Sequence, residues 1–186
     1  MTTIALFASG SGSNTENIIQ YFAGRPDVRF LVLCNKPEAV VLQRAARLQV
    51  PAVVFNRQDF YGSATVLGEL VARSVDLIVL AGFLWLVPAN LVKAYPHKII
   101  NIHPSLLPKF GGQGMYGNKV HQAVLAAGEA ESGITIHYVD EQYDEGRIIL
   151  QARCPVLPHD TADSLAARIH ALEYAHYPLV IQQLIE

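Results

Sequence analysis

The sequence predicts an α/β fold: a doubly wound, mostly parallel β-sheet with helices on both faces and an antiparallel strand pair near the C-terminus. Two observations predict this class. Short β-branched and apolar runs alternate with helical stretches through the first 110 residues, which is the βαβ rhythm of a parallel sheet. The strand candidates are also nearly continuous apolar runs, as strands covered on both faces are.

Five strand candidates and four helix candidates make up this first part of the chain. The predicted strands are Ile4–Ala8, Val28–Cys34, Ala52–Phe55, Leu77–Leu80 and Ile99–Ile102. The predicted helices between them are Asn14–Phe22, Ala39–Leu48, Ser63–Ser74 and Pro88–Ala94.

After residue 110 the rhythm changes. The glycine-rich segment FGGQGMYG precedes a predicted helix, Asn118–Ala127, for which we predict Asn118 as the N-cap. Two further strands, Ile134–Val139 and Ile148–Ala152, flank the segment DEQYDEGR. We expect this pair to be antiparallel, because the connection is too short for a crossover helix.

The last predicted helix, Thr161–Gln183, closes the chain. Either Asp160 or Thr161 has the side chain to cap it. Pro178 lies inside this helix and lacks the backbone N–H that the helix needs, so we expect it to kink or end the helix.

Length and charge limit the class of protein. The chain has 186 residues, 51% hydrophobic and 16% charged, which is enough apolar material for one globular domain spanning residues 1–186. The formal net charge is −2, so the chain lacks the excess of positive charge that would favour binding to nucleic acid.

The sequence also predicts neither a membrane-spanning segment nor a disulfide framework. The longest apolar run, Leu77–Ala89, is interrupted by Gly82 and Pro88 and is too short to span a bilayer. The N-terminal MTTIALFASG lacks the positive residues of a signal peptide. Cys34 and Cys154 are far apart in sequence, and we expect them to be reduced thiols in a cytoplasmic protein.

The segment FASGSGSN joins the first strand to the first helix. Small residues let a ligand approach the backbone, and the N–H groups at a helix start favour an anion. A dinucleotide-binding fingerprint would need a glycine at Thr15, and a triphosphate-binding loop would need a lysine after the glycines. The loop therefore favours a phosphate monoester; the alternative is a tight turn that binds nothing.

Asn101 and His103 stand at the end of a strand candidate, in NIHPSLLPKF. Their spacing of two places both side chains on one face of the strand, at the sheet edge where ligands bind in open α/β folds. Asn offers an amide donor for a developing oxyanion, and His carries a proton near neutral pH. Pro104 then forces the chain out of the sheet. The alternative is a structural histidine beside a turn.

The acidic segment DEQYDEGR supplies four carboxylates: Asp140, Glu141, Asp144 and Glu145. One reading is a solvated turn. The other places one carboxylate near His103, where it would raise the imidazole pKa and favour the cationic form. Spacing alone does not choose among the four acids.

Two other site classes find little support in the sequence. None of the seven histidines forms an i,i+4 pair on a helix, and neither cysteine has a partner at metal-ligand spacing, so we expect no metal site. A Ser–His–Asp hydrolase is also disfavoured, because the Gly-x-Ser-x-Gly elbow is missing and Ser105 lies between prolines.

Taken together, five motifs resemble the folate-dependent formyltransferases. They are SGSGSN after the first strand, IVLAGF, NIHPSLLPKF, SGITIHYVDEQYDEG and ILQA…PV. The resemblance covers nearly the whole chain and implies a Rossmann-like formyltransferase fold. NIHPSLLPK with the downstream D-E-x-x-D-x-G pattern is highly specific for the family. The early loop is similar to that of members acting on glycinamide ribonucleotide, rather than that of members that formylate transfer RNA.

The resemblance also implies roles for individual residues. It implies catalysis by Asn101, His103 and Asp144, which selects one of the four acids. The implied substrate contacts are Gly12, Ser13, Asn14 and Glu173. The implied folate contacts are Leu84, Trp85, Leu86, Val87, Asn101 and Asp140.

The implied reaction moves a formyl group from 10-formyltetrahydrofolate, the co-substrate, to the amine of glycinamide ribonucleotide in de novo purine synthesis, without a metal. We expect a monomer or weak homodimer. The alternatives are hydrolysis of the formyl folate, transfer to another amine, and a non-catalytic phosphate-binding module. The phosphate loop disfavours hydrolysis, and the joint presence of Asn101, His103 and Asp144 disfavours the module.

Three departures from the family pattern affect these expectations. The glycine-rich segment Gly111–Gly117 is longer than the corresponding family segment and suggests an altered flap over the substrate. Trp85 stands where many members carry Arg. The segment Asn56–Ser63 shows no clear match for the residue that would hold the glutamate tail of the folate.

Overall fold

The computed structural model describes all residues, 1–186, and contains seven strands and six α-helices. The strands are β1 Thr2–Ala8, β2 Val28–Cys34, β3 Ala52–Val54, β4 Leu77–Leu80, β5 Ile99–His103, β6 Glu131–Tyr138 and β7 Ile148–Pro155. The helices are α1 Ser13–Tyr21, α2 Val40–Arg47, α3 Thr65–Ala72, α4 Ala89–Ala94, α5 Asn118–Ala126 and α6 Ala162–Ile185. A π-helical turn at Gln58–Gly62 precedes α3.

The strands form one mostly parallel sheet in the order β3-β2-β1-β4-β5-β6-β7. Strand β1 pairs in parallel with β2 and β4, and β2 pairs in parallel with β3. The register sets Ala8 beside Cys34, so β1 and β2 end level with each other. Strands β6 and β7 are antiparallel, as expected for their short connection. The predicted fold class is confirmed.

The chain divides into two compact units, residues 1–100 with Ile185 and residues 101–184 with Glu186. The boundary falls inside β5, between Ile100 and Asn101. A single formyltransferase domain over residues 1–186 stays a prediction. None of the helices combines the length and the hydropathy of a membrane-spanning segment.

The first unit is built around fully apolar strands. Residues Ile4–Ala8 of β1 and all four residues of β4 are buried, which explains why the sequence shows no polar alternation there. Helix α1 covers the sheet with Ile18 and Ile19, and α2 does so with Val41 and Ala45. These contacts hold the β1–α1 turn in place.

The second unit buries one stripe of α6. Leu165, Ile169, Tyr177 and Ile181 recur at intervals of four or eight residues and are fully buried, as expected for the core-facing side of a helix. Glu173 occupies the missing position in this stripe and is only 5% exposed. A carboxylate in an apolar stripe costs free energy unless it is paired, and His170 Nδ1 donates to Glu173 Oε2 over 2.9 Å.

Three details of the second unit differ from prediction. The N-cap of α5 is Gly117, whereas Asn118 is the first helical residue and donates through Nδ2 to Asp163 Oδ1 over 3.1 Å. Helix α6 is capped by Thr161, one of the two predicted caps, and continues past Pro178 to Ile185, so of the two expectations for the proline the end of the helix is wrong. Pro178 is buried on the core face, and that burial offsets the one missing hydrogen bond.

Strand β6 also begins earlier than predicted. The predicted start was Ile134, and the strand begins at Glu131. A Cβ at Gly133 would lie 2.0 Å from the carbonyl oxygen of Ala152 on β7, so the glycine permits a close approach of the two strands.

Candidate active site

Asn101, His103 and Asp144 come together within the second unit. The Nδ1 atom of His103 lies 3.4 Å from Asp144 Oδ2, and the Nδ2 atom of Asn101 lies 3.5 Å from Asp144 Oδ1. Asn101 and His103 therefore reach the same carboxylate from one face of β5, as their spacing predicts. An amide, an imidazole and a carboxylate in one cluster provide an oxyanion donor, a proton carrier and a counter-charge.

His103 is held by the chain that follows β5. Its side chain is buried, and Nε2 lies 2.7 Å from the carbonyl oxygen of Phe110. A carbonyl oxygen only accepts hydrogen bonds, so Nε2 carries a hydrogen in both protonation states. The nitrogen that gains and loses a proton is therefore Nδ1, which faces Asp144.

Buried polar side chains fix the turn from Ser105 to Lys109. The Ser105 hydroxyl donates to the carbonyl of Lys109 over 2.7 Å, and the Thr135 hydroxyl donates to the carbonyl of Ser105 over 2.7 Å. The Leu107 N–H donates to Thr135 Oγ1 over 3.0 Å, and Gln151 Nε2 donates to the Leu107 carbonyl over 2.9 Å. These bonds satisfy backbone groups that leave the sheet after Pro104, and they keep the end of β5 rigid.

Asp144 has an unusual backbone and a crowded carboxylate. Its φ is +57°, and its side chain is 10% exposed. The Gly112 N–H donates to Oδ2 over 2.9 Å. Burial works to raise the pKa of Asp144, but a hydrogen bond from His137, the charge of His103 and the Gly112 N–H outweigh it, so the pKa lies below its ordinary value. The carboxylate is therefore ionised at neutral pH.

The pKa of His103 corrects one expectation. Asp144 raises this pKa, as predicted for a neighbouring carboxylate, and so does the Phe110 carbonyl. Burial is the largest influence and lowers it, so the net pKa lies below the ordinary value for histidine. The free protein therefore holds His103 mostly neutral near pH 7.

His137 is a fourth member of the cluster that sequence reasoning missed. It is buried on β6, and Nδ1 donates to the Tyr138 carbonyl over 2.9 Å. Its Nε2 lies 3.2 Å from Asn101 Nδ2 and 3.5 Å from Asp144 Oδ1. This nitrogen therefore lies between the Asn101 amide and the Asp144 carboxylate. The available signal was a histidine in a strand shortly before the acidic turn.

The acidic turn directs one carboxylate inward. Glu141 and Glu145 are exposed, and Asp140 accepts a hydrogen bond from the Gln142 N–H over 2.9 Å. The turn folds back tightly at Gly146, where a Cβ would lie 1.7 Å from the Tyr138 carbonyl oxygen. This close return of the backbone, which only glycine permits, places Asp144 beside the histidines.

Gly12, Ser13 and Asn14 lie in the first unit, at the start of α1. Gly12 is the N-cap, with φ +71°, and a Cβ there would lie 2.4 Å from Val41 Cγ2. The Val41 N–H donates to the Gly10 carbonyl over 3.1 Å, and Arg44 Nε donates to the Ser11 carbonyl over 2.8 Å. These two bonds hold the loop against α2 at the start of α1, and backbone N–H groups at a helix start favour an anion.

Leu84 to Val87 also lie in the first unit, after β4. The Leu84 N–H donates to Ser9 Oγ over 3.1 Å, and the Leu86 carbonyl accepts from the Tyr61 hydroxyl over 2.8 Å. The ring of Trp85 contacts that of Tyr61, with centroids 6.0 Å apart. The Arg57 guanidinium carbon lies 5.1 Å from the centroid of the Trp85 ring, a cation–π arrangement.

Glu173 is paired inside the second unit. His170 Nδ1 donates to Glu173 Oε2 over 2.9 Å, and this hydrogen bond raises the pKa of His170. His121, 2% exposed, has its pKa lowered by burial. No group of three or more His, Cys, Asp or Glu side chains in the structure is arranged to hold a metal ion.

The chain is similar to known proteins over most of its length. The family model for formyl transferase matches residues 2–181. Phosphoribosylglycinamide formyltransferase of Bacillus subtilis is 40% identical over 191 residues, covering 100% of this chain and 95% of that protein. The chloroplastic phosphoribosylglycinamide formyltransferase of Vigna unguiculata is 43% identical over 190 residues; the match covers 98% of this chain but only 61% of that protein.

A solved structure agrees with the observed fold. Glycinamide ribonucleotide transformylase 1 from Geobacillus kaustophilus superposes with a TM-score of 0.89 and 41% sequence identity, and the match covers 100% of both chains. The similarity therefore extends over both units of this chain.

Proposed function

Because this chain belongs to the formyl transferase family, we propose that it transfers a formyl group from 10-formyltetrahydrofolate to the amine of glycinamide ribonucleotide, a step of de novo purine synthesis. The observation that carries this proposal is the cluster of Asn101, His103 and Asp144 at the end of β5. The family supports a folate-derived formyl donor, and the names of the relatives support the acceptor.

The proposed reaction is a direct attack. The substrate amine forms a bond to the formyl carbon, and a tetrahedral oxyanion develops. The bond from that carbon to N10 of the folate then breaks, the attacking nitrogen loses a proton and N10 gains one. No covalent link to the protein is needed, because holding the two reactants in line removes much of the entropic barrier. An amide and an imidazole supply the electrostatic stabilisation that a metal would otherwise give.

Asn101 and His103 are the proposed oxyanion donors. The Asn101 amide nitrogen carries two N–H groups, and one of them points to His137. The other faces Asp144 Oδ1 over 3.5 Å, which is long for a hydrogen bond, so we assign this second N–H to the oxyanion. His103 donates through Nδ1 once that atom is protonated. The ionised carboxylate of Asp144 and the growing negative charge on the oxygen both favour the proton there, against the effect of burial. Asp144 also helps move the proton released by the amine.

The ribonucleotide and the folate have separate proposed contacts. For the ribonucleotide we assign the phosphate to Gly12, Ser13 and Asn14, at the start of α1, and a further contact to Glu173. For the folate we assign Leu84, Trp85, Leu86, Val87, Asn101 and Asp140. The Leu86 carbonyl is already engaged by Tyr61, so backbone groups of its neighbours are the better candidates for the pterin.

Two broader features belong to the same proposal. We place the protein in the cytoplasm, which agrees with Cys34 and Cys154 being free and buried. We also propose a monomer or weak homodimer that acts on small molecules and not on nucleic acid, in agreement with a net charge of −2.

An assay of folate deformylation with and without glycinamide ribonucleotide tests the proposal. We expect turnover that depends on the ribonucleotide and saturates with it. Turnover that proceeds equally well without the ribonucleotide would favour hydrolysis of the formyl folate. Turnover restricted to a different amine would keep the family chemistry and reject the assigned acceptor.

Replacing Gly12 with Ala should raise the KM for glycinamide ribonucleotide by about tenfold or more while leaving the folate KM unchanged. The added Cβ would lie 2.4 Å from Val41 Cγ2 and 2.8 Å from Val41 Cα, and φ +71° disfavours a side chain, so the loop must shift. One lost hydrogen bond to a charged group corresponds to about tenfold in affinity. Steady-state kinetics with each substrate varied in turn measures this split.

Gly10→Ala is the matched control for this prediction. Its Cβ would have no atom within 4 Å, and Gly10 does not have a positive φ. It should keep both KM values. A Gly12→Ala variant that raises only the folate KM would contradict the assignment of the phosphate to this loop.

A further inference from the structure

The segment Phe110–Gly112 contacts His103 and Asp144, two ionisable members of the proposed catalytic cluster, through its backbone. The Phe110 carbonyl accepts from His103 Nε2 over 2.7 Å, and the Gly112 N–H donates to Asp144 Oδ2 over 2.9 Å. The two groups belong to consecutive peptide units, so one short piece of chain contacts both sides of the pair.

The conformation of this segment explains how it does so. Phe110 has φ +56° and Gly112 has φ +95°, so the backbone turns sharply on either side of Gly111. A side chain at Gly111 would lie 2.4 Å from Leu107 Cδ2 and 3.4 Å from Asp144 Cβ. Glycine at this position therefore avoids a clash with the Leu107 side chain, whereas the distance to Asp144 is an ordinary van der Waals contact. A phenylalanine at positive φ is strained, and such strain persists only where surrounding contacts fix it.

We propose that Phe110–Gly112 is a positioning element for the proposed reaction, with the Gly112 amide orienting Asp144 and the Phe110 carbonyl orienting His103. This inference rests on the proposed function, since it assigns the segment to that catalytic cluster. The element fixes Nε2 of His103 as a permanent donor and leaves Nδ1, beside Asp144, to exchange the proton. It also gives a role to the start of the glycine-rich segment Gly111–Gly117.

Orientation of a carboxylate affects both rate and titration. The Gly112 N–H stabilises the ionised form of Asp144 and holds one of its oxygens in place, so the other oxygen is left for Asn101 and His137. Loss of this bond should let the carboxylate rotate, and a misplacement on the order of 1 Å at a reacting centre costs up to about 100-fold in rate.

Gly112→Ala tests the element, because alanine disfavours φ +95° and should displace the amide. We expect kcat to fall by about 10- to 100-fold. The acid limb of the kcat/KM profile, which marks protonation of Asp144, should move to higher pH, since that pKa rises without its N–H donor.

Gly114→Ala is the matched control. Gly114 has φ +84°, and an added Cβ there would have no atom within 4 Å, so the strain is comparable but no bond to Asp144 is at stake. We expect its kcat and pH profile to stay near those of the wild type. Equal losses in the two variants would mean general loop strain, and unchanged kinetics in Gly112→Ala would mean that the bond has no role; either result overturns the proposal.

A measurement on the unaltered protein keeps the proposal testable if Gly112→Ala does not fold. With selective 15N-glycine labelling of the 13 glycines, the Gly112 amide proton shift should titrate with Asp144. In Asp144→Asn this titration should disappear. If the titration of the Gly112 amide proton shift is the same in Asp144→Asn as in the wild type, the positioning role is overturned. Absence of ribonucleotide-dependent turnover in the wild type is a different result: it would reject the proposed function and leave this amide contact intact.

Discussion

Replacing His103 with Ala should lower kcat by about 100- to 10,000-fold, the range typical for removal of a general acid–base group. The variant loses the hydrogen bond that protonated Nδ1 donates to the oxyanion, while the proposed contacts for both substrates remain. The two KM values should therefore change far less than kcat. Steady-state kinetics with each substrate saturating measures the effect.

Folding must be checked beside the kinetics, because His103 is buried and its removal leaves the Phe110 carbonyl without its donor. His103→Gln keeps an N–H for that carbonyl but cannot exchange a proton, and it should be nearly as inactive. His159→Ala, at an exposed histidine of the same unit, serves as the control and should retain full turnover. A His103→Gln variant within about threefold of wild type would remove the imidazole from the mechanism, since acid–base groups contribute at least about 100-fold.

Asp144→Asn should lower kcat by about 100-fold or more, through loss of the charge beside Nδ1. It should also change the pH profile in a defined direction. The carboxylate raises the pKa of His103 against the effect of burial, so its neutralisation lowers that pKa further. The alkaline limb of kcat/KM, which marks loss of the His103 proton in the free enzyme, should therefore move to lower pH. A pH–rate series for wild type and variant measures the shift.

Glu145→Gln is the matched control for this prediction, since it neutralises the neighbouring, exposed acid on the same turn. Its profile should coincide with that of the wild type. The double variant His103→Ala, Asp144→Asn should lose little more than His103→Ala alone, because groups that act as a unit are not additive. Fully additive losses would show that the two side chains act independently.

The sequence predicted the elements of the fold well because their signals are local. Apolar runs without alternation marked β1, β2 and β4, and the structure buries Ile4–Ala8, Leu31–Cys34 and Leu77–Leu80 within them. Asn101 and His103 were placed on one face by the strand period alone, and both reach Asp144. Here the information lay within a few residues of the side chains concerned.

The remaining features of the site depend on contacts between distant segments. Asp144 lies 41 residues beyond His103, and it points inward because the turn closes at Gly146 and because Asp144 itself adopts φ +57°. His137 enters the cluster from β6, in a strand whose pattern says only that it is buried. Hydropathy does not reveal contacts between segments that are distant in sequence. For this reason the resemblance to a family, and not residue spacing, selected Asp144 among the four acids.

Burial also decided the pKa of His103, where the sequence predicted the wrong net direction. Proximity of a carboxylate follows from one contact, but desolvation depends on everything packed around the ring. The contacts of Phe110 and Gly112 were equally hidden, because a run of glycines predicts a turn without saying which atoms it approaches.

The fate of the formyl group tests the proposed transfer most directly. With 13C-labelled formyl folate and glycinamide ribonucleotide, we expect the label to appear on the amine of the ribonucleotide, one equivalent for each folate deformylated. Label recovered as free formate, with the ribonucleotide unchanged, would contradict the proposed transfer.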